Sequence, residues 1–223
     1  MQIRRLRILA SSIALCVAAA AQVGAGAVTG VVRTVTREGV APATAVVYAE
    51  PLDTVAPRAP RRATLGQKNK TFQPRVLAVP VGSTVEFPNN DNIYHNVFSL
   101  SAPQPFDLGL YRAGETRART FTGLGIYRVF CNIHPQMTAV IFVTPTGFTT
   151  VAASDGRFTL DLPPGRYRMT AVSERASPVS AEITSTEGAS TVPELTLGES
   201  TWVFAPHRNK FGKDYPAAAC QQR

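Results

Sequence analysis

Between residues 72 and 143, apolar, β-branched and aromatic residues come in short runs, some alternating with polar ones. Each run is closed by glycine, proline or small polar residues. That pattern predicts strands at 75–79, 83–87, 94–99, 106–110, 117–121, 126–131 and 138–143, since side chains on a strand point alternately to its two faces. Pro80-Val81-Gly82-Ser83 and Arg112-Ala113-Gly114-Glu115 supply turn chemistry, and no stretch shows a helical period. The two ends of the chain read the same way. Strands are expected at 28–35 and 44–49 around a turn at 38–42. Beyond Pro145, Asp155-Gly156 between apolar runs predicts a hairpin, and Pro163-Pro164-Gly165 opens a strand through Tyr167 and Met169. Strands at 179–184 and 191–197 complete that part. Residues 53–66, rich in Pro, Ala and Arg, read as a linker. Residues 201–223 lose all periodicity and read as a tail laid over the sandwich by Trp202, Phe204, Phe211 and Tyr215. The expected fold class is all-β, because short strands at regular spacing imply a sandwich or barrel.

One of the turns carries chemistry. Cys131-Asn132-Ile133-His134-Pro135-Gln136-Met137 places a thiol, an imidazole and a thioether on a tight connection between two expected strands. Pro135 fixes one φ and donates no N–H, which stiffens the return from His134 to Met137. His95, where the polar run after Phe87 gives way to a new apolar strand, supplies a second imidazole. Thiolate, imidazole and thioether suit copper better than magnesium or calcium, and a His2Cys plane with a long axial Met is the blue-copper arrangement. Zinc could take a His2Cys set, but a structural zinc site closes four ligands and Met is a poor one. A Cys131–His134 nucleophile pair is conceivable from composition, with no oxyanion loop or third orienting group in view.

These residues resemble the cupredoxins over roughly the span 72–143, and His95-Asn96 with Cys131-x2-His134-Pro135-x-Met137 is most similar to the amicyanin branch. The resemblance implies a Greek-key β-sandwich in which His95, Cys131, His134 and Met137 hold one type 1 copper, with Asn96 steadying the thiolate side. It implies a carrier of single electrons between redox proteins and not an enzyme, with His134 as the electron port and His95 deeper. Copper storage or delivery is the alternative, as is a structural or binding module with a vestigial site. Delivery would want exchangeable ligands and extra Met or His, and the chain has 3 of each. A second resemblance, to carboxypeptidase regulatory-like modules, rests on Asp155-Gly156-Arg157-Phe158 and Pro163-Pro164-Gly165-Arg166-Tyr167. The opening strands of such a module resemble Gly30-Val31-Val32, Gly39-Val40-Ala41-Pro42 and Ala45-Val46-Val47. Residues 28–52 and 146–200 are therefore expected to form one small β-sandwich with a cupredoxin unit, 67–145, inserted in it. The competing reading gives residues 28–50 to the cupredoxin itself. The combination resembles exported proteins of the methylamine-utilisation-like type, though no residue points to an amine substrate.

Hydrophobic content of 44% with 17 Pro and 16 Gly agrees with a turn-rich globular chain. Residues 1–27 change where it is expected to work. Arg4, Arg5 and Arg7 precede an apolar run from Ile8 to Ala21 that is too short for a good membrane span. Ala19-Ala20-Ala21 and Ala25-Gly26-Ala27 both fit leader cleavage, so the mature chain is expected to be periplasmic or secreted, without stable membrane insertion. Cys16, within the apolar run, is a poor lipid-attachment site. Losing the leader takes 23 basic residues to 20 against 15 acidic ones, and the net charge from +8 to +5. Arg58, Arg61, Arg62, Lys68 and Lys70 concentrate part of this charge, as a solvated segment or as a dock for an acidic redox partner. Nucleic acid is disfavoured because no aromatic-basic motif is present. With Cys131 on a metal, Cys220 is the odd cysteine, and His207, alone in a basic tail, is expected to face solvent. The oligomeric state has no signature.

Overall fold

The computed structural model describes residues 25–216, except 43, 57, 102–103 and 204. Among these residues the regular structure is all strand, and no helix is long and apolar enough to cross a membrane. The first part holds β1 (Gly26–Thr36), β2 (Gly39–Pro42) and β3 (Val46–Pro51). The middle holds β4 (Arg62–Thr64), β5 (Gly66–Lys68), β6 (Thr71–Gln73), β7 (Val76–Pro80), β8 (Thr84–Pro88), β9 (His95–Ser99), β10 (Phe106–Tyr111), β11 (Thr116–Thr120), β12 (Gly125–Phe130) and β13 (Thr138–Thr144). The last part holds β14 (Thr149–Val151), β15 (Arg157–Leu162), β16 (Gly165–Val172), β17 (Val179–Ser185), β18 (Ser190–Thr191) and β19 (Leu195–Gly198).

Ladders tie the two ends of the chain together. β1 runs antiparallel to β15 from Gly26↔Leu162 to Val31↔Arg157 and parallel to β18 and β19, and β2 folds back on its second half. β3 lies antiparallel between β14 and β16, with β17 beyond. Among the described residues, no ladder joins β1 or β3 to the stretch from β4 to β13. That stretch builds its own sheets, β10-β9-β12-β13-β7 and β11-β8-β4, with β5 and β6 as a separate hairpin.

Three apolar layers stack these sheets. Val28, Val32, Phe158, Leu160 and Leu162 of the β1 sheet pack on Val47, Ala49, Tyr167 and Met169 of the β3–β16 sheet. That second sheet is apolar on its other side too, where Val46 and Val172 meet Ala78, Val140 and Phe142. The far face of β7 and β13, through Val79, Ala139, Ile141 and Val143, closes the third layer with Val85, Phe87, Phe121 and Tyr127. Residues 139–143 therefore read as an unbroken apolar run because β13 is buried on both faces.

Three segments depart from the sequence reading. Asp155-Gly156 makes its turn, with Gly156 at φ 83° and Gly156 N–H donating to Ala153 O at 2.8 Å. Yet β14 pairs with β3 and β15 with β1, so the turn is a corner between two sheets and not a hairpin. The chain has already reversed at Gly39, φ 126°, which frees residues 39–42 to pair with β1 as β2. Within the stretch read as a linker, β4 pairs in parallel with β8, and Leu65 is fully buried. Strands of three residues hold too few positions to show a period.

Candidate metal centre

β12 and β13 stay paired as far as Phe130↔Thr138, so residues 131–137 bridge the end of a ladder. Two main-chain bonds fold the bridge. Met137 N–H donates to His134 O at 2.9 Å, and Cys131 N–H to Met137 O at 3.3 Å. His95 opens β9, which meets β12 antiparallel at Phe98↔Phe130, and that step sets His95 beside the bridge.

Both imidazoles turn Nδ1 toward Cys131 Sγ, His95 at 3.8 Å and His134 at 3.6 Å, and the two Nδ1 atoms are 3.2 Å apart. A trigonal ion with metal–nitrogen bonds of ~2.0 Å and a metal–sulfur bond of ~2.3 Å imposes separations of about 3.5 Å between nitrogens and about 3.8 Å from nitrogen to sulfur. The three donors thus stand at ligand spacing. Cys131 and His95 are fully buried, whereas His134 is half-buried. Met137 is fully buried in the core that also holds Cys131, and its backbone bonds to both His134 and Cys131.

Burial disfavours the charged forms of both the His134 ring and the Cys131 thiol. Burial, helped by the positive charge of Lys70, holds the His134 imidazolium below its usual value, which favours the neutral ring and its free lone pair. Burial pushes the Cys131 thiol up, against the N–H groups of Asn96, Ile133 and His134 that face the sulfur. Reactive cysteines need the opposite, a depressed pKa and exposure.

Asn96 connects the two arms of the site. Its N–H lies 3.4 Å from Cys131 Sγ, its Oδ1 accepts from Asn132 N–H at 3.3 Å, and its Nδ2 donates to Asp107 Oδ1 at 2.6 Å and Gly109 O at 2.9 Å.

Several contributors were not singled out from the sequence. Asp91 Oδ2 lies 2.8 Å from His95 Nε2, and the carboxylate also accepts from Asn69 N–H at 2.6 Å and Lys70 N–H at 3.0 Å. Those amides face it because Asn69 and Lys70 form the β5–β6 turn with φ of 54° and 53°. Burial works against ionisation of Asp91, but the bonds from Lys70, His95 and Asn69 outweigh it and hold its carboxyl below the usual range. An ionised carboxylate only accepts, so the shared proton sits on Nε2 and the Nδ1 lone pair faces the cluster. Asp91→Ala is expected to weaken metal retention at the cluster by roughly 10–100-fold, read by chelator competition; unchanged retention would remove Asp91 from the site. The other unforeseen contributors are in the tail. His207, expected to face solvent, is half-buried with its ring stacked on Phe130 at 3.9 Å. Of the cations grouped between 58 and 70, Arg58, Arg61 and Lys68 donate to main-chain oxygens of Asp161, Ala78 and Asn90, and Arg62 pairs with Glu86. Cys16 and Cys220 lie outside the described residues.

No protein-family model matches the chain, and no curated protein matches it. Solved structures do. A copper-containing nitrite reductase from Thermus scotoductus SA-01 is 32% identical over 43% of this chain with a TM-score of 0.36, and the match spans only 25% of that enzyme's chain. A purple cupredoxin from Nitrosopumilus maritimus is 24% identical with a TM-score of 0.34, over 37% of this chain and 99% of its own. A reduced tryptophan-to-tyrosine variant of amicyanin is 24% identical with a TM-score of 0.35, over 36% of this chain and 80% of its own. All three likenesses are partial, each covering less than half of this chain.

Proposed function

We propose that this chain is a type 1 copper protein that carries single electrons between redox partners outside the cytoplasm and catalyses no reaction of its own. The observation that carries the reading is the spacing of two Nδ1 atoms and one Sγ at 3.2, 3.6 and 3.8 Å around a buried point. The donor set fits copper: one thiolate, two neutral imidazoles and, as the proposed axial contact, the Met137 thioether. Copper held there would supply a one-electron Cu(I)/Cu(II) couple. The chain's own part is to keep the donors still. Asp91 orients His95, Asn96 holds the sulfur, and Pro135 with the two loop bonds fixes His134 and Met137. Burial of His95, Cys131 and Met137 makes ligand exchange slow, which suits a carrier better than a delivery protein.

His134 is the proposed electron port, because it alone of the two imidazoles reaches the surface. Tyr94 and Ile133, 55% and 46% exposed, flank the ligands in sequence and offer an apolar contact. Lys70, near enough to act on His134 by its charge, favours a partner that is acidic at its rim. The unit from β4 to β13 is proposed to be an insertion in a sandwich made of residues 28–52 and 146–200, which is the reading the ladders of β1 and β3 support.

Export follows from the leader-like residues 1–27, and the fold bears on where the cut falls. Gly26 and Ala27 pair with Leu162 and Asp161, and a Cβ on Gly26 would stand 1.9 Å from Thr186 O. Cleavage after Ala21 keeps this end of β1, whereas cleavage after Ala27 removes it. N-terminal sequencing of the exported protein is expected to place the mature start before Gly26; a start at Val28 would show that those pairs are dispensable.

The central test is to add Cu(II) to the purified protein and record metal content and visible spectrum. About one copper per chain and an intense band near ~600 nm are expected from a copper–thiolate bond. A colourless protein, or one that takes up zinc in preference, would overturn the reading.

A further inference from the structure

Residues 207–215 form a built loop on the outer side of the 131–137 bridge. Asn209 organises it. Its Oδ1 accepts from Phe211 N–H at 2.9 Å and Lys213 N–H at 3.1 Å, its own N–H donates to Lys213 O at 2.8 Å, and its carbonyl accepts from Gly212 N–H at 2.9 Å. Gly212 takes φ 73°, which glycine adopts without a Cβ clash. The rings of His207 and Tyr215 meet edge-on at 5.2 Å where the loop closes.

From this loop, contacts converge on the ligand bridge. The His207 ring lies parallel to Phe130, and its Nε2 is 2.7 Å from Pro135 O. The Tyr215 hydroxyl donates to Cys131 O at 3.4 Å. Lys210 starts and ends a ring of hydrogen bonds. Its N–H donates to Asn132 Oδ1 at 3.0 Å, Asn132 N–H donates to Asn96 Oδ1, Asn96 Nδ2 donates to Asp107 Oδ1, and Lys210 Nζ returns to Asp107 Oδ2 at 2.8 Å. Asn96 is the member of that ring whose N–H touches the sulfur.

We infer that residues 207–215 are a clamp on the ligand loop, with Lys210 and His207 as positioning residues that hold Asn132, Pro135 and, through Asp107, Asn96 in their places around the metal. The inference rests on the copper reading for one of its two readouts only. Without the clamp, the carbonyls of Cys131 and Pro135 and the Asn132 side chain lose these partners, and the bridge is left to its own internal bonds and its bonds to Asn96. A looser bridge opens more often, and each opening is a chance for the ion to leave.

Two measurements, on the parent protein and on variants of it, decide this. The first is the rate at which a chelator strips copper, followed by loss of the visible band; the second is amide hydrogen exchange across 131–137 in the metal-free protein. The variants are a chain ending after Ala205, and the double variant His207→Phe, Lys210→Met, which keeps the aromatic stack, the lysine stem and the residue-210 N–H but deletes the two side-chain donors. Lys210→Arg in the otherwise unaltered chain is the rescue. About tenfold faster copper loss and about tenfold faster exchange in 131–137 are expected for the truncated and double variants, with exchange in β15–β17 unchanged and Lys210→Arg close to the parent. If the truncated chain does not fold, the double variant decides alone. If the parent takes up no copper, the copper reading fails and exchange by itself decides the clamp. Less than threefold acceleration of exchange in 131–137 overturns it, whatever copper does.

Discussion

Cys131→Ser is expected to abolish the ~600 nm band of the copper-loaded protein and to leave its far-ultraviolet β signature intact. The band arises from charge transfer out of the thiolate, and serine offers no sulfur. The change also removes the atom that Asn96 N–H and both Nδ1 atoms face, so copper that remains would sit in a weaker, tetragonal set. The fold should survive. Cys131 is one member of an extended core with Phe87, Phe121, Tyr127 and Ile141, and exchanging sulfur for a hydroxyl there costs about 1–3 kcal/mol, against a typical total of roughly 5–15 kcal/mol. Blue colour retained in this variant would sink the assignment of Cys131 as ligand.

Tyr167→Ala is expected to be the most damaging single truncation outside the metal unit. Tyr167 is fully buried in the layer between the β1 and β3–β16 sheets, its ring stands edge-on to Phe148 at 6.0 Å, and its hydroxyl donates to Pro163 O at 2.9 Å. Aromatic-to-alanine changes in cores cost about 3–5 kcal/mol, which in a protein of this size corresponds to roughly 6–20 °C of thermal midpoint. The visible band should be unchanged at room temperature, because the cavity opens two sheets away from the ligands. Thermal denaturation followed by circular dichroism checks the first claim; a midpoint within about 2 °C of the parent would show that this layer contributes little.

What could be read from the residues, and what could not, follows the range of the interactions. The bridge between β12 and β13 was legible because its flanks are long enough to show strand character and its ligands are close in sequence. His95 was legible because it sits where a polar run meets a strand. Asp91 lies in that same run, but its role depends on a hairpin whose strands are three residues each, too short for any period to show. The corner at Asp155-Gly156 looked like a hairpin because a local turn signal says nothing about which sheet each flank joins. His207 misled for a related reason: its partners Phe130 and Pro135 lie more than seventy positions away in the chain, and no local pattern announces a contact of that range. Conversely, the unbroken run at 139–143 carried more information than strand character alone, since a run apolar at every position needs cover on both faces.

The double-faced strand and the shared ladders also constrain the order of assembly. Thr146 Oγ1 donates to Ala49 O at 2.7 Å across 97 positions of chain, and Gly147 packs against the Arg58 backbone. Bringing the ends of a flexible loop of that length together costs roughly 2–3 kcal/mol more chain entropy than closing one of about six residues. A folded β4–β13 unit already has its two ends side by side, so once it has formed, the long closure becomes a short one. β1 and β3 are made first, yet they lack every partner in β14 to β19 until the chain beyond Pro145 exists. The path of least entropy loss is therefore inside out, with the metal-binding unit serving as the template that delivers the last third of the chain to the first.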